Sequence, residues 1–460
     1  MTERMTVEQR RAAGRAARET APPESHADWE PAADRRDPIG ILQAQNQERL
    51  PFLVPVRHAR MRVSPFTFYR GAAAIMAQDL SRTPDSGLWV QAGGDAHLSN
   101  FGAYASPSRQ LVFDANDFDE TLPAPWEWDL KRLAASLVIA AQNLGLPEDR
   151  QRKIAAHTVH AFRTAMQGYA QKPVMDIWYE YLTAQDIEDW KGLPKEEMRE
   201  RLDRFATKAR SRTSLQALAK LTTSESGHLR IKSQPPLLWP LDEVPLGFPA
   251  DEVREQAMAV YQQYITTTDD HIQELLSRFK IVDIGLKVVG VGSVGTRCFI
   301  VLLEGRDQDD PLFLQVKEAT NSVLEDYLRP SRYENQGQRV VEGQRMVQAQ
   351  TDIFLGWTKG VLGKHYYVRQ LRDWKGSADV EQGTYKQLRF YAGLCAHTMA
   401  RGHARSGDPV AMAEYMGTDR VLDNAIAEFS MRYSRQNTQD YAHFTQAIED
   451  GQLPVADSGY

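Results

Sequence analysis

Apolar residues recur with helical spacing in several long segments of the chain, and they form short runs in others. Helical spacing predicts helices at residues 66–80, 126–142, 335–350, 385–404, 421–432 and 440–448, and a mainly helical region at 147–278. Short apolar runs predict strands at residues 88–90, 111–113, 299–303, 312–316 and 366–371. Ser64 followed by Pro65 indicates a helix start, because serine caps backbone N–H groups and proline suits the first helical position. The pattern predicts a protein with both helices and strands.

Composition changes this picture mainly at the start of the chain. The sequence has 460 residues, 42% hydrophobic and 25% charged, as expected of a soluble globular protein long enough for two or three domains. Residues 1–38 are rich in alanine, arginine, glutamate and proline and lack apolar periodicity, which predicts a mobile arm with a helical part at 8–18. The net charge of −6, and the acidic residues within that arm, argue against nucleic acid as a partner.

The cysteines and the apolar segments indicate the cellular compartment in which the protein is expected. Cys298 and Cys395 lie far apart and in no zinc-binding or C-x-x-C pattern, which predicts two small buried side chains and fits a cytoplasmic protein. A secretory signal would have an apolar run after its charged residues, and no such run follows the charged residues at the N-terminus, so no secretory signal is expected. The most apolar helical segment, residues 133–146, is too short to span a bilayer, so no membrane partner is expected.

Two of the predicted strands lead into loops that are rich in carboxylates and amides. The first acidic loop, GGDAHLSN at residues 93–100, follows the run at 88–90, and the second acidic loop, DANDFDE at residues 114–120, follows the run at 111–113. Acidic groups this close repel one another unless a cation or protons compensate. Carboxylate and amide oxygens suit magnesium or manganese better than zinc. The two loops therefore predict a divalent-metal site that handles phosphate.

A glycine turn, residues 290–295, and the hairpin after it form a second polar feature. The turn contains Gly290, Gly292, Ser293 and Gly295, and the second predicted strand of the hairpin ends at Lys317. Glycines let the backbone approach phosphate oxygens closely, and a lysine supplies a point charge. A dinucleotide-binding turn would need a helix directly afterwards, whereas β-branched and aromatic residues follow here. The hairpin arrangement is that of the phosphate-covering loop of protein kinases.

Several of these motifs resemble those of known phosphotransferases. GDAHLSN at residues 94–100 resembles the H-G-D-x-H-x-x-N catalytic loop of aminoglycoside-phosphotransferase-like and choline-kinase-like enzymes, and NDFD at 116–119 and WDL at 128–130 resemble their I-D-F-D and D-L-A elements. A closer resemblance is to a bacterial family of uncharacterised proteins assigned to the protein-kinase-like superfamily. It spans roughly residues 54–408 and includes FYRG at 68–71, PWEWDLKRLAAS at 125–136 and YYVRQLRDWKGS at 366–377. The chain departs from the enzymes at Gly93, where their loop often has histidine.

The resemblance implies an α+β, protein-kinase-like fold with two lobes, a small antiparallel β lobe and a large mainly helical lobe. The motifs come in an unusual order, because Gly290 and Lys317 follow Asp95 by about two hundred residues. Circular permutation reconciles this order with the fold, since contacts rather than chain order define a fold. The implied organisation is a mobile arm at 1–38, a large helical lobe with the catalytic and metal-binding loops at 39–280, a small nucleotide-binding lobe at 281–375, and helices at 376–460 that complete the large lobe.

The resemblance also assigns roles to individual residues. In the acidic loops, Asp95 matches the catalytic base, and His97 is expected to brace the catalytic loop by hydrogen bonds. Asn100 and Asp117 match metal ligands, and Asp119 matches a ligand of a second ion or of the water around it. In the nucleotide-binding part, Gly290, Gly292, Ser293 and Gly295 match the phosphate-covering turn, Lys317 matches the phosphate-binding lysine, and Gln370 and Leu371 match the hinge near adenine.

Two of these assignments have a neighbouring alternative. Asp117 is preferred to Asp114 as the metal ligand, because its separation from the aspartate of the WDL element matches that of the enzymes. Glu342 is the candidate ion-pair partner of Lys317, with Glu325 as the alternative. The polar residues of both acidic loops also allow a purely structural interpretation, as turn caps or a solvated turn.

The activity that the resemblance implies is ATP-dependent phosphoryl transfer with Mg²⁺ or Mn²⁺ to a hydroxyl acceptor, a small molecule or a protein, which the sequence does not identify. Three alternatives stay open. The same site could transfer AMP if the nucleotide bound in reverse, or the protein could be a non-catalytic nucleotide-binding regulator. The acidic loops could also act alone as a metal-dependent hydrolase, with Lys317 dispensable. The presence of both the metal ligands and the lysine favours an enzyme.

Overall fold

The protein combines many helices with short antiparallel sheets. The computed structural model describes residues 5–188, 195–211, 213–225, 228–245, 250–360, 363–371, 374, 376 and 383–456. Its helices are α1 (Val7–Thr20), α2 (Pro38–Gln47), α3 (Val54–Met61), α4 (Pro65–Gly71), α5 (Ala73–Leu80), α6 (Trp126–Asn143), α7 (Glu148–Tyr169), α8 (Val174–Tyr179), α9 (Ala184–Glu188), α10 (Lys195–Arg210), α11 (Ser214–Leu221), α12 (Ala250–Ile265), α13 (Asp270–Leu276), α14 (Gln336–Val347), α15 (Tyr385–Ser406), α16 (Pro409–Met416) and α17 (Val421–Glu449). Its strands are β1 (Trp89–Ala92), β2 (Phe101–Ala105), β3 (Leu111–Ala115), β4 (Leu122–Pro125), β5 (Leu182–Thr183), β6 (Thr222–Glu225), β7 (His228–Ile231), β8 (Leu238–Pro240), β9 (Lys280–Lys287), β10 (Cys298–Glu304), β11 (Pro311–Ala319), β12 (Gly356–Lys359) and β13 (His365–Gln370). The fold is therefore mixed α+β.

Helix α6 forms the centre of the helical part of the molecule. Its side chains are buried on all faces, including Leu130, Leu133 and Leu137, because α7, α15 and α17 pack around it. A helix that is apolar around most of its circumference requires such enclosure. The same helix carries Asp129 and Arg132, and both are buried. The helix predicted at residues 126–142 is confirmed, and it brings two charged groups into the interior.

The largest sheet contains six strands in the order β12-β13-β11-β10-β9-β8. The β10–β11 hairpin pairs Cys298 with Lys317 and Glu304 with Pro311, which confirms the predicted hairpin. Apolar side chains of the sheet pack against α12 and α13. Strand β8 and these two helices thus belong with the sheet, although they precede residue 281, where the sequence predicted the small lobe to begin.

Two small sheets position the acidic loops. Strands β1 and β4 pair with Val90 opposite Ala124, and β2 and β3 pair with Phe101 opposite Ala115. The contact between β2 and β3 continues past the strands, because the N–H of Asn116 donates to the carbonyl of Asn100 at 2.9 Å. The end of the first acidic loop, at Asn100, therefore lies beside the second acidic loop, at Asn116.

Several predicted elements differ in their limits. The helix predicted at 66–80 is two helices, α4 and α5, separated at Ala72, and Ser64 caps α4 by accepting from the N–H of Thr67 at 3.1 Å. The helices predicted at 421–432 and 440–448 form one continuous helix, α17. Cys298 and Cys395 are both buried, as predicted. Of the helices in the described ranges, none is long and apolar enough to cross a membrane.

The N-terminal segment packs on the helical part of the molecule. Helix α1 lies against α16, so close that a Cβ atom at Gly14 would stand 2.3 Å from the carbonyl oxygen of Ala411. Arg10 pairs with Asp408 at 2.7 Å. The sequence predicted a mobile arm here because periodic large apolar residues are absent. The contact is made by small residues and by ion pairs, Arg10–Asp408 and Arg15–Glu414, which apolar periodicity does not detect.

Candidate functional site

The first acidic loop is held by a carboxylate at the start of α6. Asp129 accepts from the backbone N–H of Gly93 at 2.7 Å and of Gly94 at 3.0 Å, and its Oδ2 lies 3.0 Å from Nε2 of His403. Gly94 has a φ of +79°, and a Cβ atom there would lie 2.2 Å from the carbonyl oxygen of Glu120. Only glycine fits this position, because any side chain would strain the backbone and collide with the second loop.

Asp95 is bound by a buried arginine from α6. Its Oδ1 accepts from Nε of Arg132 at 2.6 Å and lies 2.5 Å from Nη2. Burial raises the pKa of Asp95 to about 6, while the charge of Arg132 acts in the opposite direction. A carboxyl group with this pKa is mostly ionised near neutral pH and still able to take up a proton. The sequence analysis gave Arg132 no role. Its position among the apolar residues of α6 could have indicated a buried cation that needs an anionic partner.

His97 braces the first acidic loop from inside the protein. Its Nδ1 accepts from the backbone N–H of Ser99 at 3.2 Å, and its Nε2 lies 3.7 Å from Oδ2 of Asp95. Burial lowers the pKa of His97 well below its usual value, which keeps the ring neutral. A neutral ring that accepts at Nδ1 carries its proton on Nε2, toward Asp95. His97 therefore orients the loop through a hydrogen bond, while its 3.7 Å separation from the Asp95 carboxylate is longer than a hydrogen bond.

Of the four carboxylates of the second acidic loop, Asp114 is enclosed, and Asp117, Asp119 and Glu120 border a cavity. Asp114 is buried, and both its oxygens accept from Nη2 of Arg401 at 2.7 Å. Asp117 and Asp119 line a cavity together with Asn100, whose Nδ2 donates to a backbone carbonyl of its own loop at 2.7 Å. Asp117 and Asp119 are therefore positioned to meet a ligand, and Asp114 is not.

Lys317 joins the hairpin to the second acidic loop. Its Nζ lies 2.6 Å from Oδ2 of Asp119 and 3.7 Å from Oδ1 of Asp117. Burial disfavours the charged form of Lys317, but the two aspartates outweigh burial and hold its pKa well above the usual value. Asp119 also accepts from the hydroxyls of Tyr367 at 2.6 Å and Ser293 at 3.1 Å. Segments 198 residues apart in sequence therefore meet at one point.

The glycine turn is anchored from outside the hairpin. Gly290 and Gly295 adopt φ values of +64° and +92°, conformations that favour glycine. Nη1 of Arg60 donates to the carbonyl of Gly290 at 2.5 Å, and the N–H of Leu50 donates to the carbonyl of Gly295 at 2.8 Å. The turn is thus held in place by the segment before the first acidic loop, and Ser293 connects it to the second.

Neither candidate glutamate contacts Lys317, so the predicted ion pair is corrected. Glu342 accepts from Nη1 of Arg345 on the same helix at 3.1 Å, and Glu325 belongs to the capping box of a short 3₁₀ helix. Lys317 takes its carboxylates from the second acidic loop instead. Helix α14 contributes a cation to that loop rather than a carboxylate, because Nη2 of Arg339 donates to one of its carbonyl oxygens at 2.8 Å.

Two cavities meet at this site. The first, of about 550 Å³, is lined by Asp95, His97, Asp119, Glu120 and Gly292, and the second, of about 630 Å³, by Lys317, Gln315, Phe354, Gln370 and Leu371, among others. Five residues of the described ranges line both cavities, and we call them the neck: Arg70, Asn100, Asp117, Gly290 and Ser293. The predicted base thus borders one cavity, and the predicted hinge residues share the other with the lysine. Gly295 and Glu342 line neither.

The neck fits a divalent ion only together with a phosphate ligand. The described part of the chain contains no group of three or more His, Cys, Asp or Glu side chains that could hold a metal ion. Asp117 and Asn100 supply a carboxylate and an amide, while Asp119 is engaged by Lys317 and Tyr367. Magnesium in phosphate-handling enzymes is commonly held by one or two carboxylates, with phosphate and water completing its shell. The donor set at the neck has this composition.

A comparison with protein families identifies the chain's relatives. Residues 49–447 match the family described as "Uncharacterized protein conserved in bacteria (DUF2252)". The chain belongs to this family. The DUF2252 match includes both acidic loops, the glycine turn and Lys317, so every neck residue lies within it. No curated protein and no solved structure matches the chain.

Proposed function

We propose that this DUF2252 protein is a metal-dependent phosphotransferase that moves the terminal phosphoryl group of ATP to a hydroxyl acceptor. The observation that carries the proposal is the position of Lys317, whose Nζ lies 3.7 Å from Asp117 and 2.6 Å from Asp119 beside two adjoining cavities. A buried ammonium group, a pair of carboxylates and a glycine turn together suit a polyphosphate and its cation.

The proposal includes a kinase-like arrangement of two lobes with a changed chain order. The six-stranded sheet would form the small lobe, and the helices around α6 would form the large one. What supports this arrangement is that the hairpin contributes Lys317 to loops that come before it in the sequence, the reverse of the usual kinase order. A circular permutation produces such a reversal without changing the contacts.

The two cavities suggest a place for each substrate. ATP would occupy the second cavity, with adenine toward Gln370 and Leu371 and the phosphates toward Lys317 and the glycine turn. The acceptor would occupy the first cavity, where its hydroxyl group reaches Asp95. A bound Mg²⁺ or Mn²⁺ ion, held by Asp117 and Asn100, would offset the negative charge of the phosphates.

The chain's own residues would then orient the substrates and move one proton. The acceptor oxygen bonds to the γ-phosphorus while the bond to the β–γ bridging oxygen breaks, and ADP leaves with the electron pair. The hydroxyl proton passes to the carboxylate of Asp95, which Arg132 holds in position. Most of the rate enhancement would come from this positioning and from charge stabilisation at the neck.

Thermal unfolding with nucleotides tests the binding half of the proposal. We expect ATP with magnesium to raise the unfolding midpoint, because a ligand that binds only the folded state adds about 2.7 kcal/mol at a hundred times its Kd. Magnesium alone should have little effect, since the neck lacks enough ligands without phosphate. An unchanged midpoint at millimolar ATP and magnesium would contradict the proposal.

Asp95→Ala separates binding from transfer. Transfer from γ-labelled ATP should fall by about 10²–10⁴-fold, because the group that accepts the hydroxyl proton is lost. The shift in midpoint with ATP and magnesium should remain. Asp176→Ala, on the exposed face of α8, is the matched control. Equal turnover by Asp95→Ala and the unaltered protein would refute the assignment, and label transferred only from α-labelled ATP would indicate AMP transfer instead.

A further inference from the structure

The FYRG motif at residues 68–71 has no part in the reaction as described so far. Its two ends are packing positions: Phe68 is fully buried, and a Cβ atom at Gly71 would lie 2.8 Å from the side chain of Met61. Gly71 also lines the first cavity, and Arg70 lines both cavities. Tyr69 lines neither cavity, but it contacts Arg132, which holds the base. Core packing therefore explains half of the motif, and the other half requires a different explanation.

Tyr69 ties the motif to the catalytic base. Its hydroxyl donates to the carbonyl of Arg132 at 2.8 Å, and Nη2 of Arg132 donates back to the carbonyl of Tyr69 at 3.1 Å. The guanidinium of Arg132 also lies 4.4 Å from the centre of the Tyr69 ring. Because Arg132 holds Asp95, the backbone at Arg70 is fixed relative to the base.

Arg70 is the cation of the neck. The other four neck residues are an amide, a carboxylate, a glycine and a serine. Arg70 lines the first cavity together with Asp95 and His97. Burial sets the direction of both pKa shifts, upward for Asp95 and downward for His97, and the positive charge of Arg70 contributes a smaller downward effect on each. The carbonyl oxygen of Arg70 would also lie 3.2 Å from a Cβ atom at Gly292, which places the glycine turn directly against this residue.

We propose that Arg70 is a catalytic residue that binds the phosphoryl group as it passes from the second cavity to the first. This inference rests on the proposed function. As the new bond from the acceptor oxygen forms and the bond to the bridging oxygen of ADP breaks, negative charge is spread over the three remaining oxygens of the phosphoryl group. A guanidinium group donates parallel hydrogen bonds to such oxygens. Arg70 lines both cavities, whereas Lys317 lines the second but not the first.

A mimic of the transferring group tests this role without knowledge of the acceptor. The probe is ADP with magnesium and aluminium fluoride, and the readout is the unfolding midpoint of the full chain. The unaltered protein should melt higher with the fluoride than with ADP and magnesium alone. Arg70→Ala should keep the ADP shift, lose the fluoride increment and turn over γ-labelled ATP about 10³-fold more slowly, as expected of an arginine that stabilises the transition state.

Two further variants separate catalysis from folding. Arg62→Ala is the matched control, because Arg62 lies just after α3, pairs with Glu449 at 3.7 Å and lines neither cavity. Arg70→Lys keeps the charge but not the planar fork, so it should recover only part of the turnover, and it replaces Arg70→Ala if that variant does not fold. Added guanidinium ion should restore part of the turnover of Arg70→Ala, which a structural role would not produce.

The outcomes distinguish this inference from the function on which it rests. If Arg70→Ala retains the fluoride increment and normal turnover, the role of Arg70 is overturned and the proposed function stands. If the unaltered protein shows no shift with ATP or ADP and magnesium, the proposed function is overturned, and the role of Arg70 with it.

Discussion

The aspartate at the end of strand β3 and the two aspartates of the following loop differ in burial and in their partners. Asp114 is 1% exposed, and both its oxygens accept from Arg401, which is 2% exposed. Asp117 and Asp119 have side chains that are 32% and 27% exposed, and they share the single ammonium group of Lys317. One carboxylate meets one guanidinium in the first region, whereas two carboxylates meet one ammonium in the second.

The difference in burial and pairing shows which aspartates of this six-residue stretch are available to a ligand. A buried pair with matched charges is complete, and removing either partner would leave the other charged and unsolvated. Asp117, Asp119 and Lys317, which we call the open cluster, border two cavities, so a cation and a phosphate have space to bind there. The same residue type is thus structural at Asp114 and available for chemistry at Asp117, because the partners and the space around them differ.

The largest expected effect comes from breaking the buried pair of Asp114 and Arg401. Asp114→Asn should lower the free energy of unfolding by about 3–5 kcal/mol, because Arg401 keeps its charge without an anionic partner. Turnover per folded molecule should be unchanged. Chemical denaturation measures the first quantity and γ-labelled ATP the second.

Asp117→Asn is the matched control in the open cluster. It should change the free energy of unfolding by less than about 1 kcal/mol, because the Asp117 side chain is one-third exposed. Its effect should fall on the binding of ATP with magnesium. If Asp114→Asn and Asp117→Asn destabilised the protein equally, the contrast between the two regions would be lost.

The next effect comes from removing the ammonium group of the open cluster. Lys317→Met should reduce turnover of ATP by about 10²–10³-fold, as the loss of one preorganised charge at a phosphate typically does. Glu342→Ala is the control, because Glu342 was the sequence-based candidate for the partner of Lys317 and pairs with Arg345 instead. Its turnover should match that of the unaltered protein. A loss in Glu342→Ala as large as in Lys317→Met would restore the original assignment.

The last prediction concerns the pH dependence of stability and a buried group, His58, that has no carboxylate among the causes of its pKa shift. His58 is fully buried, its Nδ1 lies 2.6 Å from the carbonyl oxygen of Pro454, and its Nε2 lies 3.0 Å from Nδ2 of Asn46. Burial lowers its pKa to about 4, below the value of 6.5 expected in the unfolded chain. The stability that this neutral ring provides is therefore complete above pH 6.5. It is lost as the pH falls toward 4, by up to about 3 kcal/mol.

Denaturation of the unaltered protein and His58→Gln at pH 7 and pH 4.5 measures this contribution. Glutamine does not titrate, so the loss of stability between the two pH values should be smaller in the variant. Equal losses would mean that another group controls the acid sensitivity, and that burial without an opposite charge does not set the pKa of His58.

The local elements around the site were predictable, whereas the partners within it were not. The apolar pattern predicted helix α6, and two short apolar runs predicted the β10–β11 hairpin, because both patterns are local. The Ser64 cap was likewise readable from two adjacent residues. The partner of Lys317 was misassigned, since spacing along the chain does not reveal which of several carboxylates lies nearest in space. Arg132 and Arg70 received no role for the same reason.

By itself, the sequence determined the chemistry that is available to this protein: carboxylates and an amide in two loops, glycines in a turn, and a lysine at the end of a strand. Only the tertiary structure decided which of these groups meet. Asp114 and Asp117 are three residues apart, yet the first is paired with Arg401 of α15 and the second is part of the neck, because the packing of distant segments sets their surroundings. Residue type and spacing are local properties, whereas burial and partner choice depend on segments that approach one another only when the chain folds.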